Sequence, residues 1–345
     1  MKITFLATHL KVNGGNRVIV GYADVLSRMG HEVTVVIVSA NKITRTVANA
    51  IRAKPRWFKN FKGRILRVEM LTDRNLPAAD VAVAFAWQTA TALHACSEKV
   101  GLKCYYILHD ERLYHGPRNE VAKTYEFPMT RIVLSTWVQE RIKRDYNLDS
   151  ELLIPPLYDE FLAKEYPHNT TDKIRILLVC HDYDWKGTKE GVEIVQRFKV
   201  KYPYIELVLY GSRRKNINFP CDEYHYNPSR FELPRLYAGC DIYLCTSWDE
   251  GLGLPSMETM ACRCALVTYD TGGSRDFAID GRTALVAPRR NIEALSQKLE
   301  MLIVDKKLRD RIAGNGRDFM RAMPTLNEQT HALESIFLRE LKKHA

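Results

Sequence analysis

Short apolar runs alternate along this chain with longer stretches in which apolar residues recur every three or four positions. Ile3 to Ala7 is a short apolar run, followed by a polar loop holding Gly14-Gly15. From Arg17 to Met29, residues Val18, Ile19, Tyr22, Leu26 and Met29 keep helical spacing, and Gly30 ends the pattern. Val33 to Val38 is a second run, rich in β-branched residues. Strand, helix, strand at these lengths predicts a β-α-β unit and a parallel sheet. Val81 to Ala86, Cys104 to Leu108 and Ile132 to Ser135 read as further buried strands, the last followed by a helix from Trp137 to Asp145. The alternation breaks at Pro155-Pro156 and the polar Y-P-H-N-T-T-D, a linker. It then restarts. Strands are expected at Ile174 to Cys180, Ile205 to Tyr210, Asp241 to Thr246, Ala265 to Thr268 and Thr283 to Val286. Helices are expected at Thr188 to Tyr202 and Ser256 to Arg263, and from Ile292 to the end with Pro324 as a break. The pattern predicts an α/β protein of two doubly wound, Rossmann-like domains, over 1–160 and 161–325, with a closing helix over 326–345 that packs back on the first. Ligands in such sheets lie at the carboxyl ends of strands, so two domains facing each other would form a cleft.

Bulk properties narrow this picture. The length of 345 residues suits two domains, and 46% hydrophobic with 27% charged residues is an ordinary globular balance. No apolar run approaches the roughly 20 residues that cross a bilayer. M-K-I-T-F-L-A-T-H-L begins like a signal peptide, but its apolar run is short and meets N-G-G without a cleavage site, so it reads as the first buried strand. The eight cysteines form no C-x-x-C pair and mostly lie in apolar runs, which points to free thiols in a reducing cytosol. The net charge is +10, and its placement matters more than its size: Lys42 to Val68 holds nine Lys or Arg and no acid.

Several loops between strand and helix carry candidate chemistry. Gly14 and Gly15 sit where backbone can approach an anion at a helix N-terminus, or simply turn tightly. The pattern is not G-x-G-x-x-G, which disfavours a nicotinamide or flavin fold. Lys186-Gly187 opens the next domain's first helix, where a lysine can neutralise a phosphate or stand in solvent. Asp182-Tyr183-Asp184 has metal-binding form, yet nothing nearby completes a shell, so no metal is expected. Thr271-Gly272-Gly273 repeats the glycine device at another strand end. Between them, D-E-G-L-G-L-P-S-M-E-T-M-A places Glu250 and Glu258 around two glycines and Pro255. Pro255 suits a first helical turn, which would put Glu258 there, where the dipole alone favours an acid. Glu250 lies in the loop and lacks that reason, and Gly251 and Gly253 would expose backbone N–H groups to a diphosphate or sugar.

This stretch resembles the Glu-x7-Glu signature of glycosyltransferase family 4, retaining enzymes of the GT-B fold. The resemblance continues in Y-D-T-G-G-S-R-D-F-A-I-D-G-R-T-A-L-V-A-P, in L-Y-A-G-C-D-I-Y-L-C-T-S and in the N-terminal G-G-N-R-V-I-V-G-Y-A-D-V-L-S-R-M-G-H-E-V-T-V-V. A-D-V-A-V-A-F-A-W-Q-T-A with Y-Y-I-L-H-D-E is similar to a branch that builds bacterial surface polysaccharides, some of whose members are rhamnosyltransferases. The resemblance implies a nucleoside-diphosphate sugar donor, a glycan, glycolipid or lipid-linked acceptor, and no cofactor. Glu258 would hold the donor ribose; Glu250 and the amides of Leu252, Gly253 and Leu254 would hold sugar and phosphate. Lys186 would neutralise the leaving diphosphate, Gly15 would approach it, and His109 would contact sugar or acceptor. The family has Gly-Arg, its arginine clamping the phosphates, where this chain has Cys180-His181; His181 could donate when protonated but is a weaker fixed cation at neutral pH, and Arg213 or Arg214 is the candidate to compensate. G-G-x-x-E becomes Gly272-Gly273-Ser274-Arg275-Asp276.

Retaining transfer by this set is expected to run on one face of the sugar, a leaving-group oxygen taking the acceptor proton, because no carboxylate pair is placed for double displacement. Within the basic stretch, Arg56, Trp57, Phe58, Lys59 and Lys62 interleave aromatics with cations, which suits an anionic membrane surface or the acceptor; nucleic acid or a solvated loop are the other readings, nucleic acid being less favoured. The location expected is the cytoplasm, against the inner face of the cytoplasmic membrane. Two other function classes share these features: a GT-B sugar phosphorylase or epimerase, and a weakly catalytic sugar- or nucleic-acid-binding protein.

Overall fold

A computed structural model describes residues 1–55, 57–58, 60–162, 164–212 and 219–344. The chain forms two compact units, Met1–Pro156 with Pro324–Ala345, and Leu157–Met323. The first unit holds strands β1 (Lys2–Ala7), β2 (Glu32–Val38), β3 (Arg64–Val68), β4 (Val81–Ala84), β5 (Leu102–Ile107), β6 (Thr130–Val133) and β7 (Glu151–Leu152). They pair in parallel in the order β3-β2-β1-β4-β5-β6-β7. The second unit holds β8 (Ile174–Cys180), β9 (Ile205–Gly211), β10 (Glu223–Tyr226), β11 (Ile242–Cys245), β12 (Ala265–Tyr269) and β13 (Leu285–Ala287), in the order β10-β9-β8-β11-β12-β13. Both sheets are doubly wound and Rossmann-like, and the architecture is the α/β GT-B fold.

The central strands are mostly apolar because helices cover both sheet faces. All four residues of β4 are buried, as are all four of β11. The edges are written differently. In β3, R-I-L-R-V buries only Ile65 and Val68; β10 is E-Y-H-Y and buries nothing fully. Charged, short edge strands resist pairing with other chains, and they are also hard to recognise as strands. That is why β3, β7 and β10 escape the apolar pattern that gives the others.

In each sheet the strand order reverses once, between β1 and β4 and between β8 and β11. A crevice forms outside the carboxyl ends at such a reversal. The loops after β1, β8 and β11 carry Gly14-Gly15, Lys186 and Glu250. The expected long C-terminal helix is three helices, Ile292–Val304, Lys306–Arg321 and Leu326–His344. Asp305 makes the extra break, since its side chain accepts from the Leu308 amide at 2.9 Å and starts a new helix. The last helix packs against helix Gly14–Arg28 of the first unit, with Leu333, Ile336 and Phe337 buried.

Candidate functional site

In the second unit, β8 ends at Cys180 and the chain turns through a short 3-10 helix, Asp184–Lys186, into helix Thr188–Lys201. Gly187 makes the turn at φ +65, a left-handed conformation that suits glycine, against the Thr246 carbonyl at the end of β11. Thr246 Oγ1 donates to the Gly187 carbonyl at 2.9 Å, and the Trp248 amide donates to the Trp185 carbonyl at 2.8 Å. These bonds tie the loops on either side of the strand reversal. They bring Lys186 Nζ to 2.6 Å from Glu250 Oε1, both side chains largely buried, with the ammonium 4.2 Å from the centre of the Trp185 ring. Lys186 is thus neither a solvated lysine nor an isolated cation. It is held by a carboxylate sixty-four residues on.

A third loop closes on this pair. The Glu250 amide donates to Thr271 O at 3.0 Å, and the Gly273 amide donates to Glu250 O at 3.2 Å. Gly273 needs its missing side chain, since a β-carbon there would meet the Gly251 carbonyl and lie 2.6 Å from Leu252 Cα. The Gly251–Gly253 loop and the Gly272-Gly273 turn are therefore one assembly. Gly253, at φ +100, precedes helix Leu254–Ala261, whose first turn contains Pro255. The amides of Leu252, Gly253 and Leu254 lie at that helix entrance.

Glu258 is not in the first helical turn. The helix starts at Leu254, so Glu258 falls in the second turn, with 2% exposure. The dipole does not account for an acid there. Its Oε2 accepts from Tyr237 at 3.2 Å, and Tyr237 contacts the Tyr210 hydroxyl at 3.0 Å. Glu250 and Glu258 occupy different environments, one beside a cation and one at the end of a buried hydroxyl chain. Asp249, unremarked in the sequence, is buried and ion-paired with Arg289.

His181 follows β8, and its ring centre lies 4.5 Å from that of Tyr183. Its Nδ1 accepts the Tyr183 amide at 3.2 Å, which requires an unprotonated Nδ1. Arg213 and Arg214 lie outside the described residues. Beside the turn is a cavity of about 630 Å³, lined among others by His181, Tyr183, Glu190 and Trp248. Asp184 and Gly187, on either side of Lys186, also line it, while Lys186, Glu250 and Glu258 do not. Among the described residues no cluster of three or more His, Cys, Asp or Glu is arranged to hold a metal, Asp182 and Asp184 included.

In the first unit, Gly14 and Gly15 open helix Gly14–Arg28, and Asn13 caps it by accepting from the Asn16 amide at 2.7 Å. A β-carbon on Gly15 would lie 3.2 Å from Leu108, just before His109. The loops after β1 and β5 therefore meet. His109 Nδ1 lies 3.0 Å from the Asp110 carbonyl, and its ring packs on Tyr114, His115 and Trp137.

The sequence reading missed what lies beneath His109. Asp110 is 2% exposed and bonds Arg112 Nε at 2.8 Å and Arg141 Nε at 2.5 Å. Burial opposes its ionisation, but the two guanidinium groups outweigh it and hold the carboxyl below the usual range. Among the described residues Glu111 has no such cationic partner. It accepts from Tyr105 at 2.8 Å and from the Trp87 amide at 2.8 Å, and burial pushes it up to about 7. The signal in H-D-E-R was two adjacent acids beside an arginine; pairing with Arg141 is visible only in space.

Trp57 donates from Nε1 to the Leu10 carbonyl at 3.0 Å, and Phe58 packs edge-on against the fully buried Phe61. Both are half-buried, and the exposed Lys62 is tied through its amide to Asp24 Oδ1 at 2.7 Å. Arg56 and Lys59 lie outside the described residues. No described helix is long and apolar enough to cross a membrane.

Fold and site together define an α/β protein of the GT-B fold. Residues 160–319 match the family described as Glycosyl transferases group 1. Among curated relatives, the chain is 31% identical over 169 residues to an N,N'-diacetylbacillosaminyl-diphospho-undecaprenol alpha-1,3-N-acetylgalactosaminyltransferase of Campylobacter jejuni, covering 46% of this chain and 44% of that protein. The chain thus aligns with about half the length of such relatives. Among solved structures, sucrose-phosphate synthase from Thermosynechococcus elongatus superposes with a TM-score of 0.80 at 16% identity over 100% of both chains. Anabaena HepE in complex with UDP and glucose gives 0.76 at 13% identity, over 98% of this chain and 100% of the other. At these identities the likeness is one of fold.

Proposed function

We propose that this protein is a retaining glycosyltransferase of family 4 that moves a hexose-type sugar from a nucleoside-diphosphate sugar to a glycan, glycolipid or lipid-linked acceptor. The observation that carries the reading is the Lys186–Glu250 pair, held at 2.6 Å across a strand reversal and buttressed by the Gly272-Gly273 turn, in a domain matching Glycosyl transferases group 1. A diphosphate entering there gives Lys186 a second anionic partner, while Glu250 fixes the ammonium and accepts from sugar hydroxyls. The helix entrance at Leu252–Leu254 offers amides to the same anion. Glu258, oriented by Tyr237, takes the ribose. UDP in the HepE complex and the polyprenol-linked substrate in the Campylobacter enzyme's name support this donor and acceptor class.

In the reaction, an acceptor hydroxyl attacks the anomeric carbon as its bond to the diphosphate breaks, and a diphosphate oxygen takes the hydroxyl proton on the same face. Lys186 and the helix-entrance amides stabilise the charge that develops on the leaving group, where most of the catalytic effect arises. They replace a metal ion, so EDTA is expected to leave turnover unchanged; loss of activity in EDTA would refute this part. The deciding experiment is a thermal-shift panel of UDP, GDP, dTDP, ADP and CDP. One diphosphate should raise Tm, and Glu258→Gln should remove most of the shift. Equal, negligible shifts for all five, or stabilisation by RNA instead, would overturn the reading.

A further inference from the structure

Helix Lys42–Ala50 is laid on the first unit with its amphipathic pattern turned outward. It contains no buried residue. Its attachment is polar: Asn49 Nδ2 donates to the Arg67 carbonyl at 2.8 Å, and Asn49 Oδ1 accepts from the Arg67 amide at 2.9 Å. Arg45 donates to the Ser39 carbonyl at 2.7 Å and to Glu69 at 3.2 Å. The residues opposite Asn49 and Arg45 at about 100° per residue are Ile43, Val47 and Ile51. Their exposures are 77%, 53% and 70%. A nine-residue helix is marginal alone, and its stability ordinarily comes from burying an apolar face. Here the protein itself leaves that face in water.

The charge around the stripe identifies what covers it. Lys42, Arg52 and Lys54 are exposed beside it, within the stretch of nine Lys or Arg and no acid. Aliphatic side chains at i, i+4 and i+8 flanked by cations describe a helix lying in the headgroup layer of an anionic bilayer. Nucleic acid would use the cations but gains nothing from exposed aliphatic groups, for it is bound through phosphates and stacking on rings. A second copy would bring the same cations face to face.

We propose that Ile43, Val47 and Ile51 insert into an anionic membrane surface and seat the first unit on it. This moves the contact from the Trp57-Phe58 loop, which is tied to the domain, to the helix, which is not covered. It does not rest on the transferase reading, and its test reads no turnover.

The full chain is sedimented with phosphatidylcholine vesicles, with and without about a third phosphatidylglycerol. Binding is expected only with the anionic lipid. The triple variant Ile43→Ser, Val47→Ser, Ile51→Ser should lower the partition coefficient about tenfold or more. Because all three side chains are exposed, its circular dichroism and Tm should match wild type. The triple Leu variant should bind as wild type. Undiminished sedimentation of the Ser variant overturns the proposal, as does equal binding to neutral vesicles. A dimer or an RNA complex that the Ser variant abolishes, without vesicle binding by wild type, overturns it in favour of that partner.

Discussion

Lys186 and Glu250 each make sense only through the other. A buried ammonium without a counter-charge is costly, and so is a buried carboxylate. On the proposed reading, Lys186→Ala removes the cation that would neutralise the diphosphate and strands Glu250; transfer is expected to fall about 100-fold or more in kcat, with a smaller change in KM for the donor. Steady-state kinetics check this, and a fall confined to KM would refute the charge-stabilising role. Glu111 gives a pH-dependent prediction. Burial raises its pKa to about 7 from 4.5, so the fold prefers the protonated form. The resulting stability is complete below pH 4.5 and is lost as pH rises through 7. Denaturant titrations from pH 5 to 8 should show the loss, on the order of 3 kcal/mol, and Glu111→Gln should flatten the profile in that window. Asp110 does not mask this effect, since its pKa is lowered and its contribution disappears only in more acidic solution.

Among the elements, the turns are the most exacting. Gly187 sits at φ +65 against Thr246, and Gly273 sits against Gly251 and Leu252. Gly273→Ala must push apart the turn carrying Glu250, so a loss of donor binding larger than the change in Tm is expected; calorimetry and nucleotide titration on one sample compare the two. Central strands were legible because covering both faces makes nearly every residue apolar, as in V-A-V-A of β4. The edges were not, because Arg64–Val68 alternates and is charged. Helix Lys42–Ala50 was hidden for a related reason: it buries nothing, so its sequence looked like part of a basic loop.

At the level of the molecule, the chain leaves the first unit at Pro156 and returns to it at Pro324. Its last helix is a component of the first core, not an appendage. Phe337 is fully buried, and Phe337→Ala should cost about 3–5 kcal/mol in the first unit's stability. Differential scanning calorimetry should show the first unit's transition lowered, while a nucleoside diphosphate still raises that of the second. A wild-type first transition would show that the tail contributes no core.

What the sequence determined by itself was local: strands and helices from the period of apolar residues, the glycine turns between them, and two domains from the break at Pro155-Pro156. Signature residues such as Glu250 and Glu258 were found because short spacing along one loop survives folding. Tertiary structure alone decided the partners. Lys186 and Glu250 are 64 positions apart, Asp110 and Arg141 are 31 apart, and Glu258 meets Tyr237 from another helix. It also decided that His181 accepts an amide and that Ile43, Val47 and Ile51 point outward. Periodicity marks one face of an element as different from another; only packing settles which face turns inward and which charges meet.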